Sequence, residues 1–127
     1  MPRPSTAITL QGAYPIGDTD VNALPVKELG PAIAFYTKVL GFQLVHRKET
    51  AVLKRNNATI GLARNDADPE QASVYFAVNG LNRLREEYLA VGLKPGAIRV
   101  DQHEGKSYRL FFAKEPYGVC FCFGEPA

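Results

Sequence analysis

The 127-residue sequence predicts an α+β domain made of two tandem βαβββ modules. Two stretches with helical apolar spacing, Leu29 to Leu40 and Leu81 to Val91, are each preceded by one extended segment and followed by three. A glycine closes each helix, Gly41 in the first and Gly92 in the second. The halves also superpose at an offset constant to within one residue. Val26-Lys27-Glu28-Leu29 falls on Val78-Asn79-Gly80-Leu81, Tyr36 on Tyr88, and Val39-Leu40-Gly41-Phe42 on Ala90-Val91-Gly92-Leu93. These matches predict one domain over 19–127, with modules at 20–66 and 72–124. The two mixed sheets are expected to curve around a cleft between them, with the helices on the outside.

Residues 1–18 read as a lead-in carrying three of the nine prolines, with a short edge strand at Ala7 to Leu10. The first module opens with a strand near Val21 to Val26. Its helix has Pro31 in the first turn, where the missing N–H costs nothing, and buries Leu29, Ile33, Tyr36 and Leu40 on one face. Strands follow at Phe42 to Arg47, Val52 to Arg55 and Thr59 to Arg64, the last two joined by a turn at Asn56-Asn57. A polar linker, Asn65 to Glu70, leads to the second module. There Ser73 to Val78 is a strand and Leu84 and Tyr88 face inward on the helix. Strands near Ala97 to Asp101, Tyr108 to Lys114 and Val119 to Phe123 end the unit. A polar loop at Gln102 to Ser107 and a turn at Glu115-Pro116-Tyr117-Gly118 separate these last three.

The composition is that of an ordinary globular protein, 46% hydrophobic and 22% charged, with a net charge of +2. Its charges alternate in sign instead of clustering, which argues against nucleic acid or an anionic membrane as partner. No apolar run has the length of a signal peptide or of a membrane span, so the expected location is the cytoplasm. Cys120 and Cys122, at i and i+2 on one strand, are spaced near the upper limit for a disulfide and read as reduced thiols.

Alternation sorts the strands into two faces of different size. Leu24, Val26, Ile60, Leu62, Val74, Phe76, Val78, Val119, Phe121 and Phe123 form a bulky set suited to packing under helices. The other set is small or polar: Val21 and Ala23, Thr59, Gly61 and Ala63, Ser73, Tyr75 and Ala77, Cys120 and Cys122. Small residues on a curved sheet leave space for a ligand.

Over residues 20 to 124 the chain resembles the vicinal oxygen chelate superfamily, which includes glyoxalase I, bleomycin- and fosfomycin-resistance proteins and extradiol dioxygenases. The resemblance rests on Val26-Lys27-Glu28-Leu29, Ala34-Phe35-Tyr36, Val39-Leu40-Gly41-Phe42, and Glu115-Pro116-Tyr117-Gly118 in place of the usual Asp-Pro-x-Gly turn. It implies the glyoxalase/bleomycin-resistance fold and, in the enzymes, one divalent metal held by His or Glu. The corresponding positions fall near Val21, Gly61 or Ala63, Ser73 and Cys122, none of which is His, Glu or Asp. A slip of one residue presents only Asn22 and Leu62. A cofactor is therefore not expected. Asn22-Ala23-Leu24-Pro25 resembles the metal-free bleomycin-resistance branch, which implies a homodimer that sequesters a small apolar or amphipathic molecule. The alternative the resemblance implies is a divergent metal-dependent lyase, isomerase or dioxygenase with Cys122, Ser73 or a histidine as ligand. The residues themselves name no reaction.

The cleft candidates are Tyr75, Ser73, Cys120, Cys122, Ala63, Gly61 and His103. Tyr75 leads them, because it offers a stacking face and a hydroxyl in the middle of the small set. Cys120 and Cys122 read first as small apolar residues, and otherwise as a soft-metal or arsenical site. His103 is expected in the exposed loop Gln102-His103-Glu104-Gly105 and His46 on a surface strand. Asp101 and Glu104 show no spacing that makes them an acid/base pair.

Overall fold

Why two halves of this chain share one core follows from their strand faces. The computed structural model describes residues 8–65 and 67–127. Its strands are β1 (Thr9–Pro15), β2 (Leu24–Pro25), β3 (Gln43–Arg47), β4 (Thr50–Arg55), β5 (Ala58–Ala63), β6 (Ser73–Asn79), β7 (Arg99–His103), β8 (Lys106–Lys114) and β9 (Cys120–Pro126). Helix α1 (Leu29–Lys38) follows β2, and α2 (Leu81–Ala90) follows β6. In each module the first strand pairs in parallel with the last, and the other two continue antiparallel. One sheet has the order β2-β5-β4-β3; the other has β6-β9-β8-β7, with β1 added antiparallel on β6. The duplication read from the sequence is thus a duplicated topology.

All ten residues of the bulky set are at most 3% exposed. They belong to one core with residues from both helices. Rings cross from module to module: Tyr36 of α1 meets Phe121 of β9 edge-on at 5.8 Å, and Phe42 lies 5.7 Å from Phe76. Phe123 stacks on Phe76 at 5.1 Å and on Phe111 at 5.0 Å. Polar bonds reinforce the junction. Tyr88 Oη donates to the Leu40 carbonyl at 3.0 Å, and Arg55 donates to the same oxygen at 2.8 Å while pairing with Glu87 at 2.8 Å.

The bulky faces of both sheets turn to this shared core, so their small faces lie on the other side of each sheet. At Gly61 that face is taken up by main chain. The Gly61 N–H donates to the Val21 carbonyl at 2.8 Å, and a Cβ there would stand 2.1 Å from the Asn22 carbonyl oxygen. The space that glycine leaves is filled by the chain entering β2, not left open for a ligand.

The described part of the lead-in joins the five-stranded sheet as β1, Thr9–Pro15, longer than the expected Ala7 to Leu10, of which Ala7 lies outside the described residues. Leu10 is fully buried; its N–H donates to Asn56 Oδ1 and its carbonyl accepts from Asn57 N, both at 3.0 Å. β1 thus straps the β4–β5 turn of module one to the sheet of module two. A second long-range device starts α2, which follows Gly80 at φ 92° and has no local side-chain cap. Glu125 of β9 accepts there instead, from Gly80 N at 3.3 Å and Leu81 N at 3.1 Å, and so caps the helix from across the fold.

Glu115 opens the turn before β9. Its Oε1 accepts from Tyr117 N at 2.7 Å and Val119 N at 3.1 Å, while Oε2 is buried without a partner. Burial raises its carboxyl above the ordinary range, against the pull of those backbone donors.

Two outcomes follow. Gly61→Ala places a methyl against backbone, which cannot swing aside, and should cost about 2–3 kcal/mol in urea unfolding. For Glu115, a raised folded value means the fold favours the neutral acid. Its penalty is absent below the ordinary carboxylate value and grows as pH rises toward the raised one. Glu115→Gln should therefore be more stable than the parent at pH 7, and the gap should close at pH 4. An equal gap at both values contradicts this.

Candidate functional site

The five-stranded sheet carries a cavity of about 550 Å³ on its small face. β6 and β9 supply Tyr75 and Cys122, β1 and its exit supply Tyr14, Pro15 and Ile16, and β8 supplies Tyr108 and Leu110. Asp101, Gln102 and His103 at the end of β7 close the far side. β1 and β7 are the two edges of this sheet, separated by three strands at about 4.8 Å spacing. That both edges line one cavity shows the sheet curling about its small face, as sheet twist favours.

Of the sequence candidates, Tyr75, Cys122 and His103 come together here. Ser73 and Cys120 face the same side one pair further along, in register with each other, but do not line the cavity. Gly61 and Ala63 belong to the other sheet and are buried, Gly61 under the chain entering β2. His103 is not in a loop as expected. It is the last residue of β7, paired with Lys106 across a two-residue turn in which Glu104 and Gly105 take φ of 51° and 80°. That tight turn turns most of the anticipated polar loop into strand. His46 lies exposed on β3, beside a break in the β3–β4 register.

Tyr14, Ile16, Tyr108 and Leu110 are cavity residues that strand reasoning passed over. The alternation Tyr108, Leu110, Phe112 within β8 carried a usable signal for two of them. Tyr14 and Ile16 carried none, since only pairing with β6 brings the lead-in to this face.

Electrostatically the cavity keeps its protons. Burial, with Cys120 adding, pushes the Cys122 thiol up to about 11. Burial also raises Tyr75, with Cys122 and Tyr108 contributing. At neutral pH the floor offers an S–H and an O–H donor and no anion. Asp101 stands 3.8 Å from Arg99, whose guanidinium lies over the Phe112 ring at 4.9 Å; His103 lies 3.2 Å from Glu104.

The positions that the resemblance assigns to a metal do not fit one. Val21 and Gly61 are joined to each other by a backbone hydrogen bond and carry no side-chain donor. Ser73 and Cys122 sit on the other sheet, and Cys122 is a protonated thiol. Among the described residues no three His, Cys, Asp or Glu side chains converge. A second depression, of about 750 Å³, lies near the start of α1 and is walled by Lys27, Lys48, Glu49 and Arg64. Long charged side chains make poor walls, and no aromatic ring floors it.

Comparison with known proteins agrees with the fold. No curated protein matches the chain. A bleomycin resistance determinant encoded on the transposon Tn5 is 20% identical, with a TM-score of 0.71 over 87% of this chain and 98% of that one. A virulence protein of Salmonella typhimurium gives 20% identity and a TM-score of 0.71, over 88% of this chain and 98% of its own. The bleomycin-binding protein of Streptomyces verticillus, solved with copper(II)-bleomycin, gives 19% and 0.65 over 83% and 93%. At such identities these structures speak for the fold. The family model describing the Glyoxalase/Bleomycin resistance protein/Dioxygenase superfamily matches residues 19–123, and the chain belongs to that superfamily.

Proposed function

We propose that this chain is a metal-free binding protein that sequesters a small apolar or amphipathic molecule, working as a homodimer in the cytoplasm. The observation that carries this reading is the cavity on the five-stranded sheet: about 550 Å³, floored by Tyr75 and Cys122 and walled by Ile16 and Leu110, with the charged and amide side chains Asp101, Gln102 and His103 together at the end of β7. Its size and its few convergent polar groups are those of a ligand site. The complex formed by the structurally similar Streptomyces verticillus protein supports binding as the role. The donor-poor metal positions argue for binding without a metal.

Pairing is supported by the edges. β3 and β7 are exposed along their whole length, with Val45 at 60% and Val100 at 61%, and Phe112 of β8 is partly exposed beside β7. Exposed edges of this kind are stable in solution when a second strand or subunit covers them. Among the described residues no helix is long and apolar enough to cross a membrane.

Native mass spectrometry of untagged protein should retain a small organic mass that Tyr75→Ala loses, with less than a tenth of an equivalent of metal per chain. Light scattering at micromolar concentration should give twice the chain mass. A stoichiometric divalent ion, or a cavity from which no molecule is ever recovered, would sink the reading. If the site binds without covalent capture, Cys122 should stay a thiol. Its alkylation by iodoacetamide should be slow at pH 7.5 and still be rising at pH 10, whereas a plateau near pH 8 contradicts the raised value.

A further inference from the structure

Both tyrosines at the centre of the cavity lie down on the sheet instead of standing off it. A Cβ added at Gly12 would come within 2.7 Å of Tyr14 Oη and 3.0 Å of its ring; one added at Gly124 would come within 2.6 Å of Tyr75 Oη and 2.9 Å of its ring. The register explains the choice of residues. Gly12 pairs with Ala77 and Ala77 with Gly124, so one row across β1, β6 and β9 carries nothing larger than a methyl. Tyr14 and Tyr75 pair in the next row of that face. Because β1 and β6 are antiparallel, a ring leaning back along β1 and a ring leaning forward along β6 tip the same way, onto the small row. Their centroids are 6.5 Å apart and their planes 37° from each other. Neither Gly12 nor Gly124 has a positive φ, so the backbone does not require glycine at either place. What glycine supplies is room for the rings.

A ring laid along a sheet presents its face to the space above, and that face is the negative side of the aromatic quadrupole. Such faces take flat π-systems by offset stacking and cations by direct attraction. Among the lining groups Asp101 contributes a carboxylate, which it shares with Arg99 at 3.8 Å, and no lysine or arginine lines the cavity itself. Asp101 and Tyr108 pair with each other in the row beyond the one the rings lean on. We infer that the cavity is a stacking site for a flat aromatic cation, with Tyr14 and Tyr75 as its floor and Asp101 facing its charge. This rests on the small-molecule reading above and narrows it to a ligand class.

The test uses the full chain and three probes at one ionic strength: proflavine, a three-ring cation; anthracene-2-sulfonate, a three-ring anion; and dodecyltrimethylammonium, an aliphatic cation. Proflavine should bind roughly tenfold more tightly than either of the others. Gly124→Ala meets only the movable end of Tyr75, so it should fold with an unchanged melting temperature while lifting the ring. Proflavine binding should then weaken roughly five- to tenfold, with the aliphatic cation changed less than about twofold. Tyr75→Leu should do the same. Equal binding of the aliphatic cation overturns stacking but leaves small-molecule binding intact, and equal binding of the sulfonate overturns the role of charge. If Gly124→Ala binds proflavine like the parent, Tyr75 is not the floor. Failure of all three probes on protein that retains a ligand in native mass spectrometry overturns this inference alone; failure with no retained ligand overturns both.

Discussion

Each module of this chain makes a sheet with one bulky face, and both modules bury that face in the same place. Tyr36, Phe42, Phe76, Phe121 and Phe123 pack ring against ring across the junction, all at most 3% exposed. A buried aromatic contributes more apolar area than any aliphatic residue, so dividing this cluster between two separate cores would leave each with a large exposed patch. The rest of the architecture follows from that constraint. Once the bulky faces meet, the small faces lie on the opposite side of each sheet, and the cavity described above is built on the small face of the five-stranded sheet.

The five-stranded sheet forms that cavity by curling and by adding β1. The strap brings Tyr14 beside Tyr75, and its anchor on the Asn56-Asn57 turn ties the floor of the cavity to the other module. The four-stranded sheet has no such addition. There main chain takes up the space at Gly61, with the Asn22 carbonyl seated against it. Two modules of one topology have thus diverged in what their small faces do.

Membership in the superfamily settles the frame and leaves the chemistry to the residues. A fold hosts many activities, and the site decides among them. Here the positions that could hold an ion carry valine, glycine, serine and a thiol kept protonated by burial, while the cavity is paved with aromatic rings.

The sequence by itself determined the modules, both helices, their glycine ends and ten of the bulky-face residues. These are written in local periodicity and in a repeat that compares the chain with itself. Leu10, Leu53 and Phe111 of the same core were not read from it. The sequence also placed Tyr75 and Cys122 on the small face, by alternation within single strands. Which way the small faces look, what fills the space at Gly61, and which strand lies beside β6 were decided only in the tertiary structure. Each depends on contacts between residues tens of positions apart, such as Leu10 with Asn56, Gly80 with Glu125, and Tyr14 with Tyr75. The turn at Glu104-Gly105 belongs with these, because its two positive φ values follow from the β7–β8 register and not from a loop-forming composition alone. Periodicity shows which face of a strand is small; only packing shows whether that face meets backbone, solvent or a ligand.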